Sequence, residues 1–545
     1  MYKNNKLKFL AFLILMLNIS CETTELEILT DPNALSPEQS DIDFFLNSIQ
    51  VDMAYFFEAA SEPGMEVTRI IHMFGPFYDN AYAPSEFDGL WSRAYAGTLA
   101  DVRTYTPLAI EKELYTHVAI GQIIESYMIA TLVDYFGDVP YTEAFDPAIL
   151  NPAADSGADI YSALQLLLDD AIVNLNKSEA ALPANDLFYD GDESKWIKLA
   201  NTLKLKLYLQ SRLVNEPESI MGINTIIGNG NYIMDASDDF VFNWSNNEEN
   251  PDSRHPIFAR NFDNGGNITD YMSNHFMNEL REGQSVEDPR LRYYIYRQRA
   301  TSSENTVEQA CFGTLPPTWY GFTIPYCTLD NGFWGRDHGD DGGIPPDTGG
   351  RATWGVYPVG GNFDDDSFNS ITTRDIGLTG RGFSPIMLSS YVQFMLAEAN
   401  LELGTTGSAA TYLENGITHS IDKVMAFGAS IADASLTPSA MDVSDYVTSV
   451  NDSYSAAVSD DDKLNIIIKE YFIALYGNGV EAYNSYRRTG KPGALQPLRK
   501  EDTNKFLRSF YYPSGYVNLN SNASQKPDVL QKVFWDTNPD ADFIN

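Results

Sequence analysis

The sequence predicts a mainly α-helical protein, a scaffold of stacked helix pairs interrupted by one large irregular insert rich in aromatic residues. Three observations lead there. Apolar residues recur at helical spacing in long runs on both sides of the chain's middle. Short turns containing Gly, Pro or Asp separate those runs, as they do between antiparallel neighbouring helices. Between about residues 228 and 386 the periodicity gives way to Gly, Pro, Asn and Asp, and four of the seven tryptophans lie there. Hydrophobic residues at 43% and charged residues at 20% place the chain among globular proteins. Its 545 residues leave one large helical body, or two to three lobes, equally open.

The N-terminus is different in kind. Lys3, Lys6 and Lys8 precede the apolar run Phe9 to Leu17, followed by "NISC". Nine apolar residues fall well short of the roughly 20 that span a bilayer, so residues 1–20 read as a secretory signal. Cys21 stands where an exported bacterial lipoprotein is cleaved and acylated, although Asn18 occupies a position usually held by Leu. A plain secreted protein is the alternative. With a lipid on Cys21, membrane contact is the acyl chain alone. Glu22, Glu25 and Glu27 open a polar linker over 22–40 and resemble the acidic export tags of surface lipoproteins.

An N-terminal helical scaffold is expected over 41–227. Asp41 to Ala60 places Phe45, Ile49, Met53 and Phe56 on one side, and Glu86 to Tyr105 does so with Leu90, Ala94, Thr98 and Val102. Tyr115 to Phe136 carries Ile120, Ile123, Ile124, Tyr127 and Thr131, and stops at Gly137, which suits a left-handed cap. Val139 is pushed to extended backbone by Pro140, so "LVDYFGDVPYTEAF" (132–145) is a helix stop followed by a sharp aromatic turn. Ala158 to Leu175 and Glu193 to Leu213 continue the pattern. Helices resume at Leu388 to Leu403, Ala409 to Phe427 and Asp461 to Tyr476, making 387–545 a C-terminal helical part packed with the scaffold as one unit. The insert over 228–386 is too rich in tryptophan for disorder, and irregular stretches of that length are commonly functional. Cys311 and Cys327, sixteen apart in an exported chain, are a plausible disulfide worth roughly 3 kcal/mol by chain entropy.

Charge excludes several functions. The formal charge of −39 moves to −42 once residues 1–20, with three lysines and no acid, are removed. Nucleic acid and anionic lipid both need basic surface. The six histidines are dispersed, and HExxH, GxSxG, Walker and dinucleotide-binding patterns are missing, so no enzyme is expected. Carboxylate pairing for glycoside hydrolysis stays open, because separation in space decides it.

Taken together, Cys21, "LVDYFGDVPYTEAF", "EYFIALYGNGVEAYNSYRRTGKPG" (470–493) and "RSFYYPSGYVNLNSNA" (508–523) resemble the SusD/RagB family of Bacteroidetes surface lipoproteins over nearly the whole chain. Tyr516 departs from the subgroup's pattern, which has Glu there. The resemblance implies a tetratricopeptide-like helix-pair scaffold carrying an irregular ligand-binding segment. It also implies a non-catalytic, cell-surface capture protein that acts as a lid on a SusC-like TonB-dependent outer-membrane transporter and binds oligosaccharide or polysaccharide. Peptide binding on the same architecture, or glycoside hydrolysis, are the alternatives.

Sugars present C–H faces between hydroxyls, so a glycan site needs flat rings flanked by polar groups. Tyr and Trp supply such rings at low entropic cost. The candidates in the insert are Trp319, Tyr320, Trp334 and Trp354, with Asn331, Arg336 and Asp337 as polar neighbours. Phe74 to Trp91 is a second loop cluster offering Tyr78, Asn80 and Tyr82, whereas Trp91 reads as structural. Asp340 and Asp341, in a Gly-rich acidic run, are calcium candidates by oxygen chemistry but lack the EF-hand spacing; no cofactor is required. Arg487 and Arg488 read as helix-capping or carboxylate-pairing residues.

Overall fold

The computed structural model describes residues 41–178, 180–262, 270–281, 283, 285–304, 329–341, 350–499, 506–540 and 543. The signal, Cys21, the 22–40 linker, Cys311, Cys327, Trp319 and Tyr320 lie outside the described residues.

The longer helices are α1 Ile42–Val67, α2 Leu99–Glu111, α3 Tyr115–Phe136, α4 Gly157–Leu175, α5 Glu193–Gln210, α6 Glu216–Asn229, α7 Ser389–Leu403, α8 Ala409–Gly428, α9 Ala440–Ala456, α10 Asp460–Ala474 and α11 Gly479–Thr489. Consecutive members pack pairwise: α3 on α4, α4 on α5, α5 on α6, and α7 on α8 and α10. Caps mark several starts. Ser156 Oγ accepts from the Asp159 N–H at 3.1 Å, Asp192 accepts from Ser194 N–H at 2.9 Å, and Ser459 accepts from Asp462 N–H at 3.1 Å. Each such cap contributes about 1 kcal/mol by satisfying an N–H that the helix leaves unpaired. α3 is long and apolar enough to cross a membrane, yet nearly all of it is buried within the fold, as befits a central core helix.

Two expectations about these helices need correcting. Glu86 to Tyr105 is not one continuous helix. A 3-10 turn at Pro84–Phe87 leads into a short helix, Asp88–Ser92, and then a π-helical segment, Arg93–Thr98, before α2 begins. Gly97 departs from helical backbone there, at φ −101° and ψ −106°. α6, α9 and α11 were not anticipated as separate helices.

The remote ends of the chain are held together at close quarters. α11 crosses α1 where two glycines meet: a Cβ on Gly64 would lie 2.1 Å from the Gly479 carbonyl oxygen, so only a glycine pair permits that approach. Ser61 Oγ accepts from Gly479 N–H at 2.7 Å at the same crossing. Farther along, buried Glu398 of α7 lies between Arg212 and Arg488, with Arg488 bonded at 2.6 and 2.7 Å. Burial alone would raise the Glu398 carboxyl, but the two guanidinium groups hold it below its ordinary value. Arg487 donates to the Arg508 carbonyl at 2.8 Å. The arginine pair is thus structural.

The described part of 228–386 is stitched into this frame. It forms two two-stranded antiparallel sheets, β1 Phe240–Asn243 with β4 Phe383–Met387, and β2 Ile295–Tyr296 with β3 Thr353–Trp354. All of β4 is buried.

Candidate functional site

The corner that ends α3 organises a half-buried group of aromatic rings. Gly137 takes φ +84° and ψ −125°, a positive-φ conformation accessible essentially to glycine, though outside the left-handed helical region expected of it. The turn is then fixed by hydrogen bonds. Asp138 Oδ1 accepts from Gly157 N–H at 2.8 Å, and Asp155 accepts from the backbone of Tyr141 and Thr142 at 2.8 and 2.9 Å. Within α3, buried Asp134 accepts from Trp535 Nε1 at 2.9 Å, from Asn484 Nδ2 at 2.7 Å and from the Tyr161 hydroxyl. Phe510 N–H donates to the Tyr135 carbonyl at 2.9 Å. The C-terminal segment is thereby tied to the corner.

That tie brings together rings from three distant stretches. Trp91 stacks obliquely on Tyr516, with centroids 4.6 Å apart and planes at 31°, and on Tyr95 at 4.7 Å and 37°. Tyr95 stacks on Phe145 at 6.2 Å. Phe136 underlies the group, edge-on to Trp91 at 5.7 Å and stacked on Tyr512 at 6.5 Å. Trp91, Tyr95, Tyr141, Phe145, Tyr512 and Tyr516 are all half-buried.

Polar groups frame the shelf. The Tyr95 hydroxyl donates to the Pro140 carbonyl at 2.6 Å, and the Tyr512 hydroxyl to the Asp138 carbonyl at 2.8 Å. Arg103 makes a bidentate pair with Glu125 at 2.7 and 3.0 Å and lies over the Tyr141 and Phe145 rings at 5.9 and 5.5 Å. Burial pushes Tyr95, Tyr141, Tyr512 and Tyr516 above the usual phenol range, so their hydroxyls stay protonated. Among the described residues, neither Trp91 Nε1 nor the Tyr516 hydroxyl has a hydrogen-bond partner. The arrangement offers flat apolar faces with two uncommitted polar groups beside them.

The residues singled out from sequence fall elsewhere. Trp334 and Trp354 are 2% and 0% exposed, which corrects the expectation that they form open platforms. The Arg351 guanidinium covers the Trp334 ring at 4.4 Å, and Trp354 sits in β3 against Tyr476 at 4.7 Å. Arg336 is also buried, its guanidinium 3.3 Å from Asp340 and 5.2 Å from the Tyr271 ring. Asp337 accepts from Asn274 at 2.8 Å and Gln496 at 2.9 Å. Tyr78 and Tyr82 are buried at 6% and 3%: Tyr78 packs near His338 and Phe506, and Tyr82 lies edge-on to Phe510 at 5.2 Å. These tyrosines are core anchors because the loop folds inward onto the C-terminal segment. Asn80 is exposed, next to Asp79, which accepts from the Tyr511 hydroxyl at 3.2 Å.

Asp340 faces Arg336 and Arg499 and Asp341 is exposed. Among the described residues no group of three or more His, Cys, Asp or Glu is placed to hold a metal. Trp91 and Tyr516, which sequence reasoning set aside, are the residues the fold brings together. A ring beside Leu90 at a helix start resembled core, and nothing local announces its contact with a residue more than four hundred positions away.

Comparison with known proteins agrees with this architecture. A family profile described as "Starch-binding associating with outer membrane" matches residues 32–320, and one described as "Susd and RagB outer membrane lipoprotein" matches 375–533. No curated protein matches significantly. Solved structures with the same fold include a chitin-binding protein, 21% identical, with TM-score 0.64 and coverage of 92% of this chain and all of that one. A SusD homologue from Bacteroides uniformis is 18% identical with TM-score 0.64, covering 92% of this chain and 100% of its own. A chitin-binding SusD homologue from Flavobacterium johnsoniae is 18% identical with TM-score 0.62, covering 91% of this chain and 99% of its own. Such identities establish shared fold, and the profile over more than half the chain establishes kinship: this is a SusD/RagB-family outer-membrane lipoprotein, a nutrient-binding protein without catalytic activity.

Proposed function

We propose that the protein captures oligosaccharides at the shelf formed by Trp91, Tyr95, Phe145 and Tyr516, and delivers them to a SusC-like TonB-dependent transporter. The observation that carries this reading is the half-open stack at 4.6–4.7 Å with Trp91 Nε1 and the Tyr516 hydroxyl uncommitted. Sugar C–H faces lie on such rings while hydroxyls bond the adjacent donors, and rings already anchored from below lose little freedom on binding. The chitin-binding relatives supply supporting precedent for a glycan ligand. A lipid on Cys21 would keep the shelf at the outer membrane.

Calorimetric titration against a panel of soluble polysaccharides, chitin oligomers and peptides tests this. The expected result is binding of at least one glycan, weakened about tenfold or more by Trp91→Ala, equivalent to about 1.4 kcal/mol. Binding of peptides alone, or glycan binding indifferent to Trp91→Ala and Tyr516→Ala, overturns it.

A further inference from the structure

A groove of about 390 Å³ lies between α4 and the end of α5, its walls completed by the first turn of α6 and by Phe534 of the C-terminal segment. Its volume falls in the range of small-ligand sites. None of its lining residues belongs to the shelf.

Two rings are built into it. Tyr208 and Phe534 are half-buried and line the groove, and each packs directly on a glycine. A Cβ on Gly222 would collide with the Tyr208 ring, and one on Gly157 would stand 2.8 Å from Phe534 Cδ1, so a side chain at either position would displace the ring. Phe534 also lies edge-on to Tyr161 at 4.9 Å, and the Tyr161 hydroxyl is bonded to Asp134 in the core. Rings fixed in this way lose little freedom when a ligand stacks on them.

The polar groups beside the rings are neutral with one exception. Ser162, Gln165, Ser211 and Asn215 line the groove together with Glu218, and among the described residues no Lys, Arg or His does. Both serine hydroxyls donate to the backbone, to the Ala158 carbonyl at 3.0 Å and the Leu207 carbonyl at 2.8 Å, which leaves them as acceptors. Gln165 donates through Nε2 to the Lys204 carbonyl at 3.2 Å, while its buried Oε1 has no donor among the described residues. A buried acceptor normally has one. The Tyr208 hydroxyl has no partner among the described residues either. Burial, with the Glu218 and Asp169 carboxylates nearby, raises its pKa, so it stays protonated and can donate. Glu218 is committed through one oxygen to Asn215. An anionic ligand finds no cation here, and a cationic one finds a single, partly committed carboxylate. The lining suits a neutral ligand with apolar faces and many hydroxyl donors.

We propose that this groove is a second saccharide-binding site, holding neutral sugar residues against Tyr208 and Phe534 with their hydroxyls turned to Gln165, Asn215 and Glu218. The ligand class extends the reading given for the shelf, but the groove stands or falls on its own variants.

The test is calorimetric titration of chitohexaose, maltohexaose, cellohexaose and an end-blocked Ala/Ser hexapeptide into wild type, Trp91→Ala, Tyr208→Ala and the double variant. The expected result is that Trp91→Ala keeps residual binding of at least one hexasaccharide, and that adding Tyr208→Ala weakens it about tenfold or more. Tyr208→Phe, which keeps the ring, should weaken it less. Residual binding indifferent to Tyr208→Ala, no residual binding in Trp91→Ala, or binding of the peptide alone overturns the proposal. Hexasaccharide binding lost in Tyr208→Ala but unchanged in Trp91→Ala keeps the groove and removes the shelf, so the two readings fail separately. Thermal unfolding of each variant confirms that it is folded.

Discussion

Two groups of aromatic residues, one around Trp334 and Trp354 and one around Trp91 and Tyr516, look alike in composition and behave oppositely in the fold. The first lies in the Gly- and Pro-rich middle of the chain, where loops are expected to present rings. There an arginine 4.4 Å above Trp334 and a tyrosine 4.7 Å from Trp354 close the rings off completely. The second begins in a helix that reads as core. It stays half-buried, its last layer being Tyr512 and Tyr516, the latter in the short helix Ser514–Leu519, none of whose residues is buried. Exposure of a ring is therefore decided by what arrives last over its face, a tertiary property that local composition does not carry.

Perturbing the closed group should affect stability and perturbing the open group should affect binding, and the expected effects on stability descend in order. Trp354→Ala removes a fully buried ring and should cost about 3–5 kcal/mol, read as a lowered denaturant midpoint. A variant as stable as the wild type would mean that the first group is not core. Next comes Lys526, which sits beneath the shelf with its ammonium 4.9 Å from the Tyr512 ring and donates to the Phe510 carbonyl at 2.7 Å. Burial, with Arg487 nearby, lowers its pKa from 10.5 to about 7. The unfolded chain then binds this proton more readily, so the group's contribution is full above about pH 10.5 and is lost as pH falls toward 7, by at most roughly 1.4 kcal/mol per pH unit. The stability difference between wild type and Lys526→Met should shift across that window and be flat below it; a difference independent of pH contradicts the assignment.

Gly137→Ala should cost about 2 kcal/mol through backbone strain alone, because a Cβ there meets no atom within 4 Å. Calorimetric unfolding checks it, and an unchanged midpoint would show that the corner tolerates a side chain. Trp91→Ala, which empties a half-exposed position, should cost only about 1 kcal/mol while removing glycan binding. A collapse of the fold in that variant would move Trp91 into the same category as Trp354.

The legible part of the molecule was its helical frame. α3, α4, α5, α7 and α8 follow the apolar periodicity closely, and Gly137 marks the end of α3 where a stop was expected. α6 and α9 escaped notice because Ser, Thr and Asn interrupt their apolar stripes, and α11 because its interior-facing positions are polar: Glu481, Asn484, Arg487 and Arg488 are buried yet paired. The candidate site was legible only in part. The corner at 137–145 and the motif at 508–523 were both conspicuous, but their meeting depends on Asp134 bonding Trp535 and Asn484 across the core, contacts between residues hundreds of positions apart. Tyr78 and Tyr82 were found for their ring chemistry and misplaced for the same reason.

The central claim is that a saccharide lies on the shelf that Trp91 shares with Tyr95, Phe145 and Tyr516. Of the described tryptophans, Trp91 alone is half-open while Trp196, Trp244, Trp334, Trp354 and Trp535 are buried. Tryptophan fluorescence recorded while a bound glycan is titrated into wild type and Trp91→Phe tests that claim directly. A ligand-dependent change in wild type that vanishes in Trp91→Phe is the predicted result, and the same change in both proteins would contradict it.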